Sequence, residues 1–284
     1  MFTLAKTAGI SCCLLLVPQL GCRRLVKDPV SETPQVRKQA VALANGTQLQ
    51  LQQRPPVTLS QDSPIAMFPR VLAGPGVSEA AAAKINASLD RFNAEVLADA
   101  RECHKDVRQT LHKGDVDNWN WERDIDVTLR GPHYLSLLAV DSSMCDGPHP
   151  LDDEIALTYD LTTGSPVNWM SLLPKEATGK VVRSPHRLPI GFVRWPAMVQ
   201  RTNEISQKDP EHEGADCTQV YIDPEMNINV WLDGKAHAVV FAPLVGMHYD
   251  NAMCSESVSV RADEAARMGF APELVAALRA AQEP

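Results

Sequence analysis

The sequence predicts an α+β protein in which a mainly antiparallel sheet is packed by a helix from the N-terminal half and followed by a C-terminal helix. Three observations predict this class. One long segment repeats apolar residues at helical spacing, later segments alternate apolar and polar residues, and Pro272 opens a further helical segment. A succession of helix, strands and helix is typical of α+β folds.

The first predicted element is a helix from about Ser78 to Cys103. Ser78 is a favourable N-cap, and Glu79 suits the positive end of the helix dipole. One face carries apolar residues at spacings of three, four and seven: Ile85, Leu89, Phe92, Val96 and Cys103. Cys103 should therefore point inward, where it can bridge to a sheet.

Strands are predicted where apolar and polar residues alternate. They cover residues 124–130, 134–140, 155–161, 228–232, 236–242 and 257–260. Asp233-Gly234 is typical of a two-residue hairpin. A short helical turn is predicted over 169–173, and an irregular connection over 174–216 should hold one short helix near 197–206. These elements complete the antiparallel sheet.

The N-terminus has the order of an export signal, with a short positive start, an apolar run over Ile10–Val17 and small residues before Cys22. The apolar run is much shorter than the ~20 residues of a membrane-spanning helix. Leu20-Gly21-Cys22 resembles the cleavage box of bacterial lipoproteins, in which the new N-terminal cysteine is acylated. Because Gln19 stands where such boxes usually carry Leu, an ordinary cleaved signal is the alternative. A buried apolar helix is the third interpretation.

Charge is distributed unevenly along the chain. Residues 23–60 carry six Lys and Arg against two Asp and Glu, a net of +4, whereas residues 61–284 carry 20 against 33, a net of −13. A basic stretch suits an anionic lipid surface, and an acidic body disfavours nucleic acid and favours cationic partners. The alternative is an acidic surface that serves solubility alone.

Four cysteines follow Cys22, and an even number in an exported chain predicts two disulfides. Three connectivities are open. We favour Cys103–Cys145 and Cys217–Cys254, which place one bridge in each half of the chain. The sequence holds no C-x-x-C pair, so we predict neither a redox motif nor a zinc site, and no cofactor.

Several short motifs resemble a known extracytoplasmic module. They are Phe68–Gly74 followed by Lys84-Ile85-Asn86, the loop Asp146–Pro150, and the strand and turn Tyr159–Gly164. Together they resemble the module that accompanies the catalytic domain of the deacetylase PdaC and forms the outer part of the anti-sigma factor RsiV, a domain of unknown function. The resemblance covers roughly residues 62–262.

The resemblance implies a binding module, since the module of RsiV binds lysozyme. Catalysis does not carry over, because the deacetylase motif Thr-Phe-Asp-Asp-Gly is absent from the sequence. The loop also departs from the family, with Asp-Gly-Pro-His-Pro in place of Gly-Gly-Ala-His-Pro. The predicted organisation is a lipoprotein-type signal peptide over 1–21, a flexible tether over 22–60, a helix-plus-sheet first half over 61–173, a connection and second half over 174–262, and a C-terminal helix over 263–284.

Two groups of residues are candidate binding sites. His149 lies close in sequence to Asp146, Asp152 and Asp153, which could tune an imidazole or bind a cation, although the loop could instead only connect two strands. Trp119 and Trp121 could form a sugar platform or pack within the sheet. No catalytic residue is assigned.

These observations predict a non-catalytic lipoprotein of the cell envelope, held by its lipid on the periplasmic side of the outer membrane. Arg23 after Cys22 favours the outer membrane, because it is not the acidic residue that retains some lipoproteins in the inner membrane. The expected partner is a cell-wall glycan or an envelope protein, such as a cationic, lysozyme-like one. The alternative is a glycan or peptidoglycan hydrolase, or a deacetylase-type enzyme, with its site around His149.

Overall fold

The computed structural model describes residues 38–42, 48–59, 64–110, 120–145, 151–177, 192–206, 208, 227–243 and 257–281. These residues lie within one compact unit, Val36–Pro284. The predicted α+β class with mostly antiparallel sheets is confirmed. The predicted signal peptide and Cys22 lie outside the described residues.

The strands in chain order are β1 (Lys38–Ala42), β2 (Gln48–Gln52), β3 (Val57–Thr58), β4 (Pro64–Ile65), β5 (Arg70–Leu72), β6 (Asn120–Arg130), β7 (Tyr134–Met144), β8 (Leu151–Asp160), β9 (Phe192–Arg194), β10 (Asn227–Asp233), β11 (Ala238–Pro243) and β12 (Val258–Arg261). The helices are α1 (Glu79–Thr110), α2 (Trp169–Leu172), α3 (Pro196–Ser206), α4 (Ala262–Met268) and α5 (Pro272–Ala280).

The described strands form three sheets. The N-terminal sheet has the order β1-β2-β5, the central sheet β3-β4-β6-β7-β8, and the C-terminal sheet β12-β11-β10-β9. Neighbouring strands are antiparallel except β4 and β6, which pair in parallel. The long strands β6, β7 and β8 form the body of the central sheet and position the site described below.

Helix α1 covers one side of the central sheet. Its predicted apolar face is buried, and its N-terminal half packs with Leu135, Leu137 and Tyr159 of the sheet and with Leu49 of β2. The helix continues to Thr110, seven residues beyond the predicted end, because Val107 extends the same buried face.

Two asparagines of α1 hold the segment before it. Asn86 Oδ1 accepts from the Val71 N–H and its Nδ2 donates to the Val71 carbonyl, both at 2.8 Å. Asn93, seven residues further on, accepts from the Phe68 N–H at 2.9 Å and donates to the Phe68 carbonyl at 3.4 Å. Residues seven apart share one helix face, so the two amides satisfy the backbone groups of Val71 in β5 and of Phe68, three residues before it. This explains why the motif at Phe68–Gly74 occurs with an Ile-Asn pair.

The turn after β8 docks on the start of α1. Asp160 Oδ1 accepts from the N–H groups of Thr162 and Thr163 at 2.7 and 2.9 Å. Gly164 has a φ of +69°, and a Cβ at this position would lie 2.4 Å from the Ala81 carbonyl oxygen. Only glycine permits this conformation and this approach, so the Asp-Leu-x-Thr-Gly motif has a structural explanation.

The C-terminal sheet packs α3, α4 and α5 on one side and the central sheet on the other. The large buried side chains of its core are Trp195, Val199, Phe241, Phe270, Leu274 and Leu278. Toward the central sheet, the Leu232 N–H donates to Ser136 Oγ at 3.1 Å and the Gly234 N–H donates to the Thr128 carbonyl at 2.7 Å. The central sheet therefore lies between α1 and the C-terminal sheet.

The flexible tether predicted over 22–60 is wrong for its described part. Strands β1, β2 and β3 lie there, and β2 pairs with β5 while Leu49 and Leu51 are each 1% exposed. The folded body of the chain therefore begins before residue 61. Strand β2 was not predicted because its alternation of Leu and Gln lies in a polar, Gln-rich stretch. Its partner β5 is also almost 20 residues away in sequence.

Three predictions for the C-terminal half are also corrected. The helix predicted over 263–284 is two helices, α4 and α5, because Gly269 ends α4 in the left-handed conformation with a φ of 83°. Strand β9 was not predicted within the connection over 174–216, and it pairs with β10. The loop between β10 and β11 has four residues rather than two, and it ends at His237 with a φ of 51°.

Candidate functional site

The central sheet has one strongly acidic end, formed by residues 122–126 of β6, 140–144 of β7 and 151–155 of β8. We call this the acidic end; it lies opposite the turn that joins β6 to β7. Its sequence holds seven Asp and Glu and a single Arg. Because the side chains of a strand alternate between the two sides of a sheet, these charges fall into two groups.

On the side that faces α1, three charged residues are aligned across three strands. Arg123 pairs in register with Asp141, and Asp141 pairs with Asp153. The Nη1 atom of Arg123 lies 3.7 Å from Asp141 Oδ2, and Trp121 Nε1 donates to Asp141 Oδ1 at 3.0 Å. We call these three residues the charged row.

Arg123 is buried with little hydrogen bonding. Its side chain has no exposed surface, and its guanidinium carbon lies 4.8 Å from the centre of the Phe68 ring, a cation–π contact. Within the part of the chain that the structure describes, none of its three guanidinium nitrogens has a hydrogen-bond partner. The Asp141 carboxylate and the Phe68 ring are therefore the near contacts that compensate this buried charge, and the Asp153 carboxylate adds to them.

The electrostatics of the row follow from burial and from two carboxylates competing for one cation. Burial raises the pKa of Asp141, against the opposing effects of Arg123 and the Trp121 hydrogen bond, and the charge of Asp99 on α1 raises this pKa further. Asp153 is exposed on the edge strand β8, but the sheet still removes part of the water around its carboxylate, which raises the pKa of Asp153, and the nearby Asp141 charge adds to that increase. Burial lowers the pKa of Arg123, although both carboxylates oppose the change.

The opposite side of the acidic end carries an exposed group, which we call the acidic patch: Glu122, Asp124, Asp126, Val140 and Glu154. The first three are exposed and alternate along β6. Val140 is 37% exposed and lies in register between Asp124 and Glu154. Glu154 is half-buried, and its pKa is raised by burial, with Asn229 opposing and Asp153 adding. The patch is therefore an apolar centre flanked by carboxylates.

The residues of the predicted His149 loop are only partly placed. Asp146 and His149 lie outside the described residues, and Asp152 is described by its backbone in β8 alone. Asp153 lies beside Asp141 and Arg123, a contact that the sequence analysis missed. Arg123 occupies an inward position of the alternation, two residues before Ile125, and that position was the available signal for the row.

Of the two interpretations of Trp121 from the sequence, packing within the sheet is the one that agrees with its position in the core. This residue is 8% exposed, it packs with Cys103 and Val107 of α1, and its indole N–H is bound to Asp141. Its ring therefore cannot stack on a sugar, and the alternative of core packing describes it. Trp119 lies outside the described residues.

A disulfide joins Cys103 of α1 to Cys145 at the end of β7, with a Cα–Cα distance of 5.0 Å. This is the pairing favoured from the sequence, and it ties the helix to the acidic end. Cys217 and Cys254 lie outside the described residues, so the second pairing stays a prediction. Within the described ranges, no three His, Cys, Asp or Glu residues are grouped to hold a metal ion.

Comparison with known proteins gives similarities to solved structures alone. No protein-family model matches the sequence, and no curated protein matches it. A DUF3298 family protein from Bacteroides fragilis is similar in structure, with a TM-score of 0.46 and 13% identity over 86% of this chain and 95% of that one. A DUF3298 family protein from Pseudomonas aeruginosa has a TM-score of 0.39 and 10% identity over 84% of this chain and 96% of that one.

Both similarities are to a domain of unknown function. TM-scores below 0.5 at these identities assign neither an activity nor a partner to this chain. Among the helices that the structure describes, none has both the length and the apolar character needed to cross a bilayer.

Proposed function

We propose that this chain is an exported, lipid-anchored protein of the bacterial cell envelope, and that its body is a non-catalytic binding module of the PdaC and RsiV type. The Cys103–Cys145 disulfide is the observation that carries the proposal. Disulfides persist in oxidising compartments outside the cytoplasm. The export-signal pattern ending at Cys22 supports the same location.

Binding rather than catalysis is supported by how the carboxylates are used. Asp141 is committed to Arg123 and Trp121, which hold the central sheet together. Glu122, Asp124 and Asp126 are exposed on a sheet surface, whereas a general acid or base acts in a site that surrounds the reacting group. The partner would be a cell-wall component or an envelope protein, such as a cationic, lysozyme-like one.

The module type is supported by contacts among the quoted motifs. Asn86 joins the helix motif to Val71 of the preceding strand motif. Gly164 of the turn motif packs on Ala81 in the same helix. Three motifs that are separated in sequence therefore form one local structure, which supports a common origin for their resemblance to one module.

The anchor is tested by feeding cells a clickable fatty acid and comparing the chain with its Cys22→Ser variant. We expect lipid on the parent chain in the membrane fraction and none on the variant. Cys13→Ser is the matched control, because Cys13 is removed with the signal and its loss should leave the label unchanged. An unlabelled, unprocessed parent chain in the cytosol would disprove the proposed location.

The competing proposal is a glycan or peptidoglycan hydrolase, or a deacetylase-type enzyme, around His149. One observation favours it: Asp141 and Asp153 are neighbouring carboxyls with raised pKa values, and paired carboxyls are used in glycoside hydrolysis. Incubation of the purified chain with cell-wall sacculi decides between the two. Released sugar fragments or acetate that disappear in His149→Ala would establish the enzyme; intact sacculi support the binding module.

A further inference from the structure

We propose that Asn229 of β10 protects the outer edge of the central sheet, and that strand β8 pairs with a second copy of this chain when this protection is removed. Among the described strands, β8 lies at the end of the central sheet, next to β7. An edge strand directs the N–H and C=O groups of alternate residues away from its neighbour, and these groups can pair with another chain. The proposal goes beyond the proposed binding function and does not depend on it.

Two hydrogen bonds identify the residues of β8 whose backbone groups point outward. Near the end of the strand, the Val167 N–H donates to the Thr158 carbonyl at 2.8 Å. Near its beginning, Asn229 Nδ2 donates to the Glu154 carbonyl at 3.1 Å. Thr158 and Glu154 are separated by an even number of residues, and neither donor belongs to β7. The even-numbered residues of β8 therefore direct their backbone groups away from β7.

The protein covers this edge with its own residues. At the end of β8, Pro166 lies opposite Tyr159 in a short antiparallel bridge. In the middle, Ala156 is 0% exposed and packs with Trp231 of the C-terminal sheet. Nearer the acidic end, the amide of Asn229 reaches the backbone of the strand. Natural sheets protect their edges with such covering contacts, because an open edge pairs with other chains.

Asn229 places a polar amide at a fully buried position. The residue is 0% exposed, and Trp231 shares its side of β10. Within the described part of the chain, its Oδ1 atom has no hydrogen-bond partner. A buried acceptor without a partner destabilises a fold, so stability alone does not explain an amide at this position. The bond from Nδ2 to the edge of β8 gives the amide a different role, which is to occupy a backbone group that another strand would use.

A second copy of the chain is the partner that this edge fits. Each copy carries the same outward backbone groups on β8, and two antiparallel edges related by a twofold axis are self-complementary. Charge opposes the pairing, because Asp153 and Glu154 of the two copies would come close together. Salt screens such repulsion, so pairing through β8 should become stronger as the salt concentration rises.

The test compares the parent, residues 22–284 with Cys22→Ser to leave out the lipid, with its Asn229→Leu variant. Leu has a similar volume but cannot donate to the Glu154 carbonyl. We expect the self-association constant from sedimentation equilibrium to rise about tenfold, because a pairing strand no longer competes with one hydrogen bond. The association should strengthen with added salt. Asn229→Ala repeats the test without adding apolar bulk, and the same rise is expected.

Asn227→Leu is the matched control. Asn227 lies two residues earlier on the same side of β10, and its Oδ1 accepts from Arg194 Nε at 3.4 Å within the C-terminal sheet. Asn227 is more exposed than Asn229, so a leucine there adds at least as much apolar surface. The control should associate no more than the parent. Equal association of the two leucine variants would show a response to apolar surface alone and would overturn the proposal.

A proline variant locates the interface. Glu154→Pro removes an outward N–H of β8 without removing a bond to β7, and edge strands tolerate proline at such positions. Added to Asn229→Leu, it should return association to the parent's value, whereas Glu154→Gln, which keeps the N–H and removes the charge, should not. A cooperative thermal transition shows that each variant is folded. Parent-like association of both Asn229 variants at every salt concentration, or no reversal by Glu154→Pro, would overturn the proposed protection.

Discussion

The two ends of the central sheet use the same three strands in different surroundings. At the turn end, near residues 131–133, Leu135 and Tyr159 are buried under α1, while Ser136 and Thr158 hydrogen-bond each other beneath the C-terminal sheet. At the acidic end, α1 covers one side and the other side is exposed around Val140. Where both sides of the sheet are buried, the side chains must be apolar or hydrogen-bonded. Where one side is exposed to solvent, the side chains on that side can be charged.

This difference separates residues that hold the fold from residues that are exposed to solvent. Tyr159 at the turn end donates its hydroxyl to Ser88 of α1 at 2.9 Å, and burial raises its pKa. The charged row at the acidic end also faces α1, so it belongs with the structural residues despite its charges. Variants at each end therefore test the comparison directly.

The largest effect is expected from Arg123→Met at the acidic end. Removal of one partner of a buried ion pair leaves Asp141 uncompensated and typically costs about 3–5 kcal/mol of stability. The free energy of unfolding from urea titration measures it. The double variant Arg123→Met/Asp141→Leu should recover part of the loss, because an apolar pair replaces the ions while the buried Trp121 N–H loses its acceptor. A single variant as stable as the parent would show that the row does not support the sheet.

At the turn end, Gly164→Ala should cost about 2–4 kcal/mol, since alanine disfavours the positive φ and its Cβ meets the Ala81 backbone. Gly131→Ala is the matched control, because a Cβ there has its nearest contacts at 3.6 Å, an ordinary distance. We expect a loss below about 1 kcal/mol for the control. Similar thermal stabilities of the two variants would remove the proposed role of the turn.

The disulfide sharpens the comparison in a different way. Replacement of Cys103 and Cys145 by Ala should lower the free energy of unfolding by about 2–4 kcal/mol, which is the usual contribution of such a link. Amide hydrogen exchange should show faster opening of the C-terminal half of α1 and of the acidic end, while the turn end keeps its protection. Uniform loss of protection across the central sheet would mean that the two ends unfold together.

The smallest effect concerns pH. Asp141 and Asp153 have raised pKa values in the folded protein, so the fold binds protons more tightly than the unfolded chain and loses stability as pH rises through the window above about 3.8, the ordinary value. Asp153→Asn should flatten this slope and raise stability at neutral pH by roughly 0.5 kcal/mol, a small figure because Asp153 is exposed. Unfolding from pH 3 to pH 7, in roughly unit steps, measures it. A steeper slope in the variant would contradict this account.

Local patterns predicted most of the elements but few of the contacts between them. Helix α1 and strands β6 to β8 follow from periodicity, because each buries one side of a regular pattern. The pairing of β2 with β5 depends on contacts across distant residues, which no short window contains. The charged row was missed for the same reason: Arg123, Asp141 and Asp153 meet only once the register of three strands is known.

The alternation of β6 has a consequence for how its neighbours align. A slip of one residue relative to β7 would turn Glu122, Asp124 and Asp126 toward α1 and expel Trp121 and Ile125 into water. Burying three carboxylates would cost far more than any gain from the misaligned pairing. The same acidic residues that face outward thus favour one alignment of the hairpin formed by β6 and β7.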